Sequence, residues 1–151
     1  MTLHTPPAGT HGNRPMSRPL ARLGARMMAA WYRRSDRMAS TLLLLSTVGA
    51  TSGKQRVTPV GYTADGADRW LIVASDGGSA KNPGWLHNLA EHPDQVSIEI
   101  GHDKVNVRAE ILAGDERAAA WATVVAATPQ YGKYETQTDR EISVVRLTRA
   151  P

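Results

Sequence analysis

The feature that most constrains the fold is a series of short strand-type segments joined by tight turns. They carry the alternating or β-branched pattern that is typical of strands. The segments are TLLLLST (41–47), RVTPVGYT (56–63), WLIVAS (70–75), QVSIEI (95–100), KVNVRAEIL (104–112) and ISVVRLT (142–148). Turns such as Asp65-Gly66 favour antiparallel pairing, because parallel pairs need long crossover connections. The sequence therefore predicts an α+β protein built on a small antiparallel barrel with surrounding helices.

Helical segments lie before and between these strands. Asn82 as N-cap and Pro83 at the first helical position predict a short helix that stops at Pro93. A longer alanine-rich helix follows residue 114. Residues 1–19 are rich in proline, glycine and threonine and predict a disordered tail. The predicted organisation is therefore a single domain over residues 20–151, which opens with a basic helix over residues 20–38.

The basic helix has two interpretations. Leu20, Leu23, Met27 and Trp31 fall at helical spacing, and several arginines lie between them. We favour an amphipathic helix that packs on the barrel and leaves its arginine side in water. The alternative is a helix that lies on an anionic membrane or shields a bound cofactor.

Composition narrows the partners and the compartment. The net charge of +4 and the pI of 9.8 favour anionic partners. The absence of cysteine excludes disulfides, thiolate zinc and a cysteine nucleophile. Nucleic acid is not expected, because no aromatic residues interleave the arginines and no recognition motif is present. Without an apolar run of about 20 residues or a secretory signal, we expect a cytoplasmic protein, with membrane association through the basic helix as an alternative.

The stretch TVGATSGKQR, residues 47–56, is the first candidate binding loop. It is not an ATP-type P-loop, because Gly49 and Gly53 bracket three residues rather than four, and Lys54 is followed by glutamine instead of a hydroxyl residue. A glycine-bracketed turn can still expose backbone N–H groups to an anion, and Arg56 could grip phosphate oxygens. A plain basic hairpin turn is the alternative.

The stretch VASDGGSAKNPGW, residues 73–85, is the second candidate loop. Gly77 and Gly78 would let a planar ligand approach the backbone closely. Pro59, in the strand between the two loops, indicates a place where no ladder donor is needed, which is often a ligand wall. Together the two loops and this strand suggest one elongated site for a flat ring with an anionic tail.

Three stretches resemble the deazaflavin-dependent nitroreductase and quinone reductase family of actinobacteria. They are LLLLSTVGATSGKQRVTPVGY, VASDGGSAKNPGWLHNL and YGKYETQTDREISVVRL, and the resemblance runs in order over residues 42–147. It implies a split antiparallel β-barrel, related to flavin-mononucleotide-binding proteins, and the 8-hydroxy-5-deazaflavin coenzyme F420. It also implies hydride transfer to quinones, activated enones or nitro-heteroaromatics. Split barrels commonly pair, so a homodimer is a further expectation, although no interface is marked.

The resemblance also implies site residues. Those expected to bind the coenzyme are Thr51, Ser52, Gly53, Lys54 and Arg56 at its phosphate and acidic tail, Val57, Thr58 and Pro59 along the deazaflavin, and Ala74, Ser75, Asp76, Gly77 and Gly78 at the ring. Tyr131 and Tyr134 are expected over the substrate pocket, in a polar loop. With Ser75, they are the candidate catalytic groups, as proton or hydrogen-bond donors. No metal site is expected, because His87 and His92 have poor ligand spacing.

Two other functions stay open beside the reductase. The same fold hosts flavin-mononucleotide oxidases, so FMN is an alternative cofactor. A carrier of the coenzyme or of a hydrophobic ligand, without turnover, is the other alternative.

The chain departs from the family pattern at three positions. Many relatives have basic residues where Ala50 and Thr51 stand, and several have lysine in place of Asp76. Each lost partly exposed contact would cost on the order of 1 kcal/mol. We therefore expect weaker or more salt-sensitive coenzyme binding than in typical members. A salt titration of the dissociation constant checks this expectation, and nanomolar affinity that salt does not change would contradict it.

Overall fold

A computed structural model describes residues 2–35 and 38–151. Within these residues, six strands close into an antiparallel barrel in the order β1-β2-β3-β6-β5-β4, with β4 paired back to β1. The strands are β1 (Leu42–Val48), β2 (Gln55–Ala64), β3 (Arg69–Val73), β4 (Val96–Ile100), β5 (Asp103–Ile111) and β6 (Val144–Arg149). The predicted antiparallel barrel is confirmed, with strand ends that differ by one or two residues.

Alternation along the strands separates the barrel interior from its outer face. Leu43 and Leu45 of β1 are fully buried in the main core, together with Ile72, Ile98 and Leu147 from other strands. Leu44, between the first two, belongs instead to a cluster under the first helix. The leucine run therefore serves two layers, because successive side chains of a strand point to opposite faces.

The barrel opens between β2 and β3. β2 pairs with β1 from Gln55 to Gly61, whereas its pairing with β3 covers only Tyr62, Thr63 and Ala64. Beyond Val73 the chain leaves β3 and turns into a loop. Residues 55–61 of β2 therefore have no strand partner on one edge, and this edge includes Pro59. The stretch matches the expectation that this proline marks a place without a ladder partner.

The helices are α1 (Arg18–Arg34), α2 (Gly84–Glu91), α3 (Gly114–Ala127) and α4 (Gln130–Gln137). Two predictions need correction here. Pro83 is the N-cap of α2, and Asn82 makes no capping bond because its side chain contacts Pro6 and Arg140 instead. The tyrosine segment predicted as a polar loop is helix α4, which begins directly after Pro129.

Helix α1 is anchored to the barrel by one buried tyrosine. The Tyr32 hydroxyl donates toward the Leu42 carbonyl (3.0 Å) and the Glu99 carbonyl (3.3 Å), and it accepts from the Gly101 N–H (2.9 Å). Ala29 is buried beside it. The helix begins at Arg18 and ends at Arg34, whereas the sequence predicted residues 20–38. Positions 36 and 37 of that prediction lie outside the described residues.

Tyr32→Phe is expected to lower the free energy of unfolding by about 1–3 kcal/mol, because it leaves the backbone groups at Leu42, Glu99 and Gly101 without their partner. For a chain of this size the melting temperature should fall by about 5 °C. Thermal denaturation checks the expectation. An unchanged melting temperature would mean that water replaces the hydroxyl without cost.

The outer side of α1 is apolar and faces solvent. Met16, Leu20, Leu23, Met27 and Trp31 are 54–65% exposed. The interpretation that this stripe packs on the barrel is therefore wrong, because Ala29 and Tyr32 on the opposite side make that contact. In the part of the chain that the structure describes, no helix is both long and apolar enough to span a bilayer.

Residues 2–17 precede α1 and lie along the barrel surface. Their backbone N–H groups bond to carbonyls of residues 78–90, as in Leu3 to Ala90 (2.7 Å). Thr10 donates to the Asp139 carboxylate through its backbone N–H (2.8 Å) and its hydroxyl (2.6 Å). The Thr10 hydroxyl and the His11 N–H lower the pKa of Asp139 to about 2, so this anchor is ionised at neutral pH. The sequence predicted disorder for this segment, and these bonds define the conformation that it takes in the structure.

Candidate functional site

The first candidate loop is a closed hairpin turn between β1 and β2. Gly49 donates to the Lys54 carbonyl (2.8 Å), and Gly53 donates back to the Gly49 carbonyl (3.0 Å) with φ of +69°. The Ser52 hydroxyl oxygen accepts from the Lys54 N–H (3.2 Å), which leaves its hydrogen for another acceptor. Thr51, Ser52 and Gly53 are exposed at the tip. The loop therefore presents hydroxyl donors to solvent.

Helix α2 supports this loop from behind. The Asn88 side chain accepts from the Ala50 N–H (2.9 Å) and donates to the Thr47 hydroxyl (3.2 Å). The Ala50 donor is thus used inside the protein. Because α2 follows the second candidate loop in the chain, Asn88 also ties the two loops to one rigid element.

Two cations flank the first loop. Lys54 is exposed and Arg56 is half-buried at the start of β2. Neither makes a salt bridge to any carboxylate in residues 2–35 and 38–151. Other arginines of the barrel do have a carboxylate partner, as Arg146 has in Asp65. Lys54 and Arg56 therefore keep their charge available for an anion.

The open stretch of β2 forms a wall next to this loop. Val57 packs beside Ala29 and Tyr32 on the outer face of the barrel. Pro59 and Gly61 point to the same face by alternation, and Thr58 points to the other. Residues 56–61 of this stretch are half-buried, so neither face is fully covered.

The second candidate loop leaves β3 through left-handed backbone. Ser75 is right-handed (φ −77°, ψ −34°), and Asp76, Gly77 and Gly78 follow with φ of +43°, +63° and +81°. A side chain at Gly77 would meet open space, whereas Gly78 is buried and packed. The Asp76 carboxylate accepts from the Ser79 hydroxyl (2.9 Å). The exposed tip thus consists of Asp76 and Gly77, with free space above Gly77.

The two tyrosines of α4 cover the gap between this loop and β2. The Tyr131 hydroxyl lies 2.9 Å from where a Cβ of Gly61 would stand, and the Tyr134 ring lies 3.4 Å from the same point at Gly78. The rings meet edge to face at 6.4 Å. Burial raises the pKa of Tyr131, and Tyr134 adds to the effect, so its hydroxyl remains a donor at neutral pH.

These elements form one elongated surface. Gly61 and the Gly77-Gly78 loop lie at the tyrosine end, and Arg56 lies at the other end, about 17 Å away at the rise of an extended strand. Tyr131 and Tyr134 therefore lie at the opposite end of this surface from the first candidate loop. An open strand edge with a glycine loop at one end and unpaired cations at the other fits a flat ring with an anionic tail.

Two residues that hold this surface together were not singled out in the sequence. Arg140 contacts the second loop from below, and Asn13 contacts it from the N-terminal segment. Arg140 stands in the quoted motif stretch 131–147, but a polar residue before a strand gives no sign of burial. Asn13 lies in a segment whose composition indicates disorder.

Comparison with known proteins gives a consistent result. The model of the F420H(2)-dependent quinone reductase family matches residues 23–149. The chain is 41% identical over 110 residues to an F420H(2)-dependent quinone reductase of Mycobacterium tuberculosis, which covers 71% of this chain and 72% of the relative.

Solved structures agree with the sequence matches. An F420-H2 dependent reductase superposes with a TM-score of 0.64 at 36% identity, over 71% of this chain and 93% of that one. A protein described as a domain-swapped dimer superposes with a TM-score of 0.66 at 30% identity, over 85% of this chain and 98% of that one.

Proposed function

Because the chain belongs to the F420H(2)-dependent quinone reductase family, we propose that it is a deazaflavin-dependent oxidoreductase that transfers a hydride from reduced coenzyme F420 to a quinone. Enones and nitro-heteroaromatics are further acceptors in this proposal. The observation that carries it is the open edge of β2, which joins unpaired cations to a glycine loop under two tyrosines.

The proposal gives the site residues three roles. Lys54 and Arg56 neutralise the anionic tail, while the hairpin contacts its phosphate through the hydroxyls and N–H groups of Thr51 and Ser52. The open strand supports the ring, and the second loop approaches the ring through its glycines. The proposed binding set is Thr51, Ser52, Gly53, Lys54, Arg56, Val57, Thr58, Pro59, Ala74, Ser75, Asp76, Gly77 and Gly78.

The chemistry asks little of the side chains. When bound, the coenzyme supplies the hydride from its own ring carbon. The protein binds and orients both molecules, excludes water and holds donors for the acceptor oxygen, which gains negative charge. Tyr131 and Tyr134 are the proposed donors, with Ser75, which is buried at the start of the loop, as a third.

Removing one hydroxyl tests these roles. Tyr131→Phe and Tyr134→Phe should each lower the rate of quinone reduction at saturating coenzyme by about tenfold, because a positioned donor to the developing oxyanion is lost. Single-turnover oxidation of reduced coenzyme measures the rate, and the dissociation constant of the coenzyme should not change. Equal rates for both variants and the wild type would show that the tyrosine hydroxyls take no part in the reaction and that the rings serve only in packing.

A peripheral membrane role for α1 belongs to the same proposal. The exposed stripe from Met16 to Trp31 is flanked by Arg18, Arg22 and Arg26, none of which forms an ion pair within the described part of the chain. An apolar stripe with basic flanks suits an anionic lipid surface. Quinones partition into membranes, so this position would place the site near its acceptor.

We further infer a homodimer, because one structural neighbour is a domain-swapped dimer, and light scattering of the purified protein checks the mass.

The deciding experiment is a titration of the purified protein with oxidised coenzyme F420 beside FMN at moderate salt, followed by fluorescence. Micromolar or tighter binding of the deazaflavin alone supports the proposal, and menadione is then assayed for turnover. Preference for FMN moves the protein to the flavin alternative. Binding without turnover of any acceptor favours the carrier.

A further inference from the structure

The second candidate loop has an unusual hydrogen-bond pattern. Every carbonyl from residue 74 to residue 80 accepts a hydrogen bond from the protein. The donors to these carbonyls are Arg140, Asn13, Gly9 and residues of the loop itself. The backbone carbonyls of the loop are therefore paired before any ligand arrives.

Arg140 makes the largest share of these contacts. Its side chain, 5% exposed, donates to the carbonyls of Ala74 (3.0 Å), Ser75 (2.8 Å) and Ser79 (2.9 Å) and to the side-chain oxygen of Asn82 (3.1 Å). It has no salt bridge to a carboxylate among the described residues. Burial of this charge costs desolvation, which lowers the pKa of Arg140, and the nearby charge of Asp76 acts in the opposite direction. Packing alone does not explain a buried guanidinium at this position.

Asn13 closes the same loop from the other side. Its side chain donates to the Gly77 carbonyl (2.8 Å) and to Gln137, and its backbone N–H donates to the Gly78 carbonyl (2.9 Å). The N-terminal segment is held at this place by Asp139, the neighbour of Arg140. Two successive residues of the chain thus fix both the loop and the segment that covers it.

The N–H groups show the opposite pattern. Those of Ser75, Asp76 and Gly77 have no acceptor in residues 2–35 and 38–151. Because a trans peptide directs its N–H opposite to its C=O, the Ser75 and Asp76 groups point away from Arg140. Right-handed Ser75 followed by left-handed Asp76 is the backbone geometry in which successive N–H groups converge on one anion or oxygen.

We propose that Arg140 and Asn13 are positioning residues, which hold the loop carbonyls back so that the N–H groups of Ser75, Asp76 and Gly77 receive the electron-rich polar edge of the coenzyme ring. This inference rests on the proposed function and deepens it. The carbonyl oxygens of the ring edge match these backbone donors, beside which the exposed Asp76 carboxylate also lies. The anionic tail is held separately at Arg56.

The test measures oxidised F420 binding to the full chain and to Arg140→Ala, Arg140→Lys and Asn13→Ala. Arg140→Ala should raise the dissociation constant about tenfold. Asn13→Ala should raise it about threefold, since the Asn13 side chain holds one loop carbonyl whereas Arg140 holds three. Guanidinium ion added to Arg140→Ala should restore most of the affinity. Lysine should not, because it lacks the planar fork. Arg117→Ala is the matched control, since its guanidinium also caps a carbonyl (Ile142, 2.7 Å) but away from the loop.

A second readout does not depend on the variants. Amide hydrogen exchange of Ser75, Asp76 and Gly77 should slow when coenzyme binds the wild type, and this protection should be lost in Arg140→Ala. Wild-type binding without such protection overturns the inference, even if Arg140→Ala fails to fold. Dissociation constants within twofold of the wild type for folded Arg140→Ala and Asn13→Ala also overturn it. Failure of the wild type to bind F420 rejects the proposed function instead, and the inference with it.

Discussion

Arg56→Ala is expected to raise the dissociation constant of coenzyme F420 about thirtyfold to hundredfold. Arg56, the second residue of β2, is half-buried. It has no salt bridge within the described residues, so its charge is free for a ligand. A guanidinium can bind a phosphate through two parallel hydrogen bonds, and a charge-assisted contact of this kind contributes about 2–3 kcal/mol. The rate at saturating coenzyme should change little, because the phosphate lies far from the tyrosine end.

Fluorescence titration at two salt concentrations measures this effect. The affinity of the variant should also depend less on salt, since one ion contact is gone. Arg108→Ala is the matched control, because Arg108 is an exposed arginine of β5 that pairs with Asp94. Arg56→Lys should recover part of the loss, as lysine keeps the charge without the fork. An unchanged dissociation constant in Arg56→Ala would show that the coenzyme phosphate does not bind at this end of β2.

The second large effect concerns α1. Replacing Leu23, Met27 and Trp31 with glutamine is expected to lower the affinity for vesicles of anionic lipid about hundredfold. These side chains are 54%, 65% and 61% exposed, so they are free to enter a bilayer interface. Partial burial of each would contribute about 1 kcal/mol. The melting temperature should not fall, because the side chains make little contact with the barrel.

Flotation with anionic and neutral vesicles measures this binding. A companion variant, Arg22→Gln with Arg26→Gln, should lose the preference for anionic lipid but keep part of the binding, because it retains the stripe. Both sets should leave coenzyme affinity unchanged, as they lie outside the proposed site. If the wild type stays with neither vesicle, α1 does not dock on lipid and its stripe meets another surface.

Much of the barrel could be predicted from local pattern. Alternation in KVNVRAEIL and the Asp65-Gly66 turn each act over a few residues, so one sequence carries that information. The glycine loops could also be predicted, since Gly53 and Gly77 adopt the left-handed backbone that favours glycine. For the proposed site, the sequence placed Tyr131 and Tyr134 near the loops, but not in a helix.

The remainder depends on contacts between distant parts of the chain. The stripe of α1 looked like a packing face because periodicity shows that a helix is amphipathic, but not which side is covered. Tyr32, whose hydroxyl contacts residues of β1 and of the β4–β5 turn, decided that question. The role of Arg140 could not be predicted either, because its partners are backbone carbonyls of a loop more than sixty positions away. Every residue has such a carbonyl, so the sequence does not mark the ones that bind an arginine.

The anchoring of Thr10 to Asp139 has a consequence for how the protein matures. The two residues are separated by 129 positions, so Thr10 cannot dock until the chain has been made as far as Asp139 and that residue is in place. Contacts of such separation form late in folding, because the intervening chain must first be ordered. The barrel should therefore close before the loop at Ser75–Gly77 reaches its final shape, and competence to bind coenzyme should appear after native secondary structure during refolding.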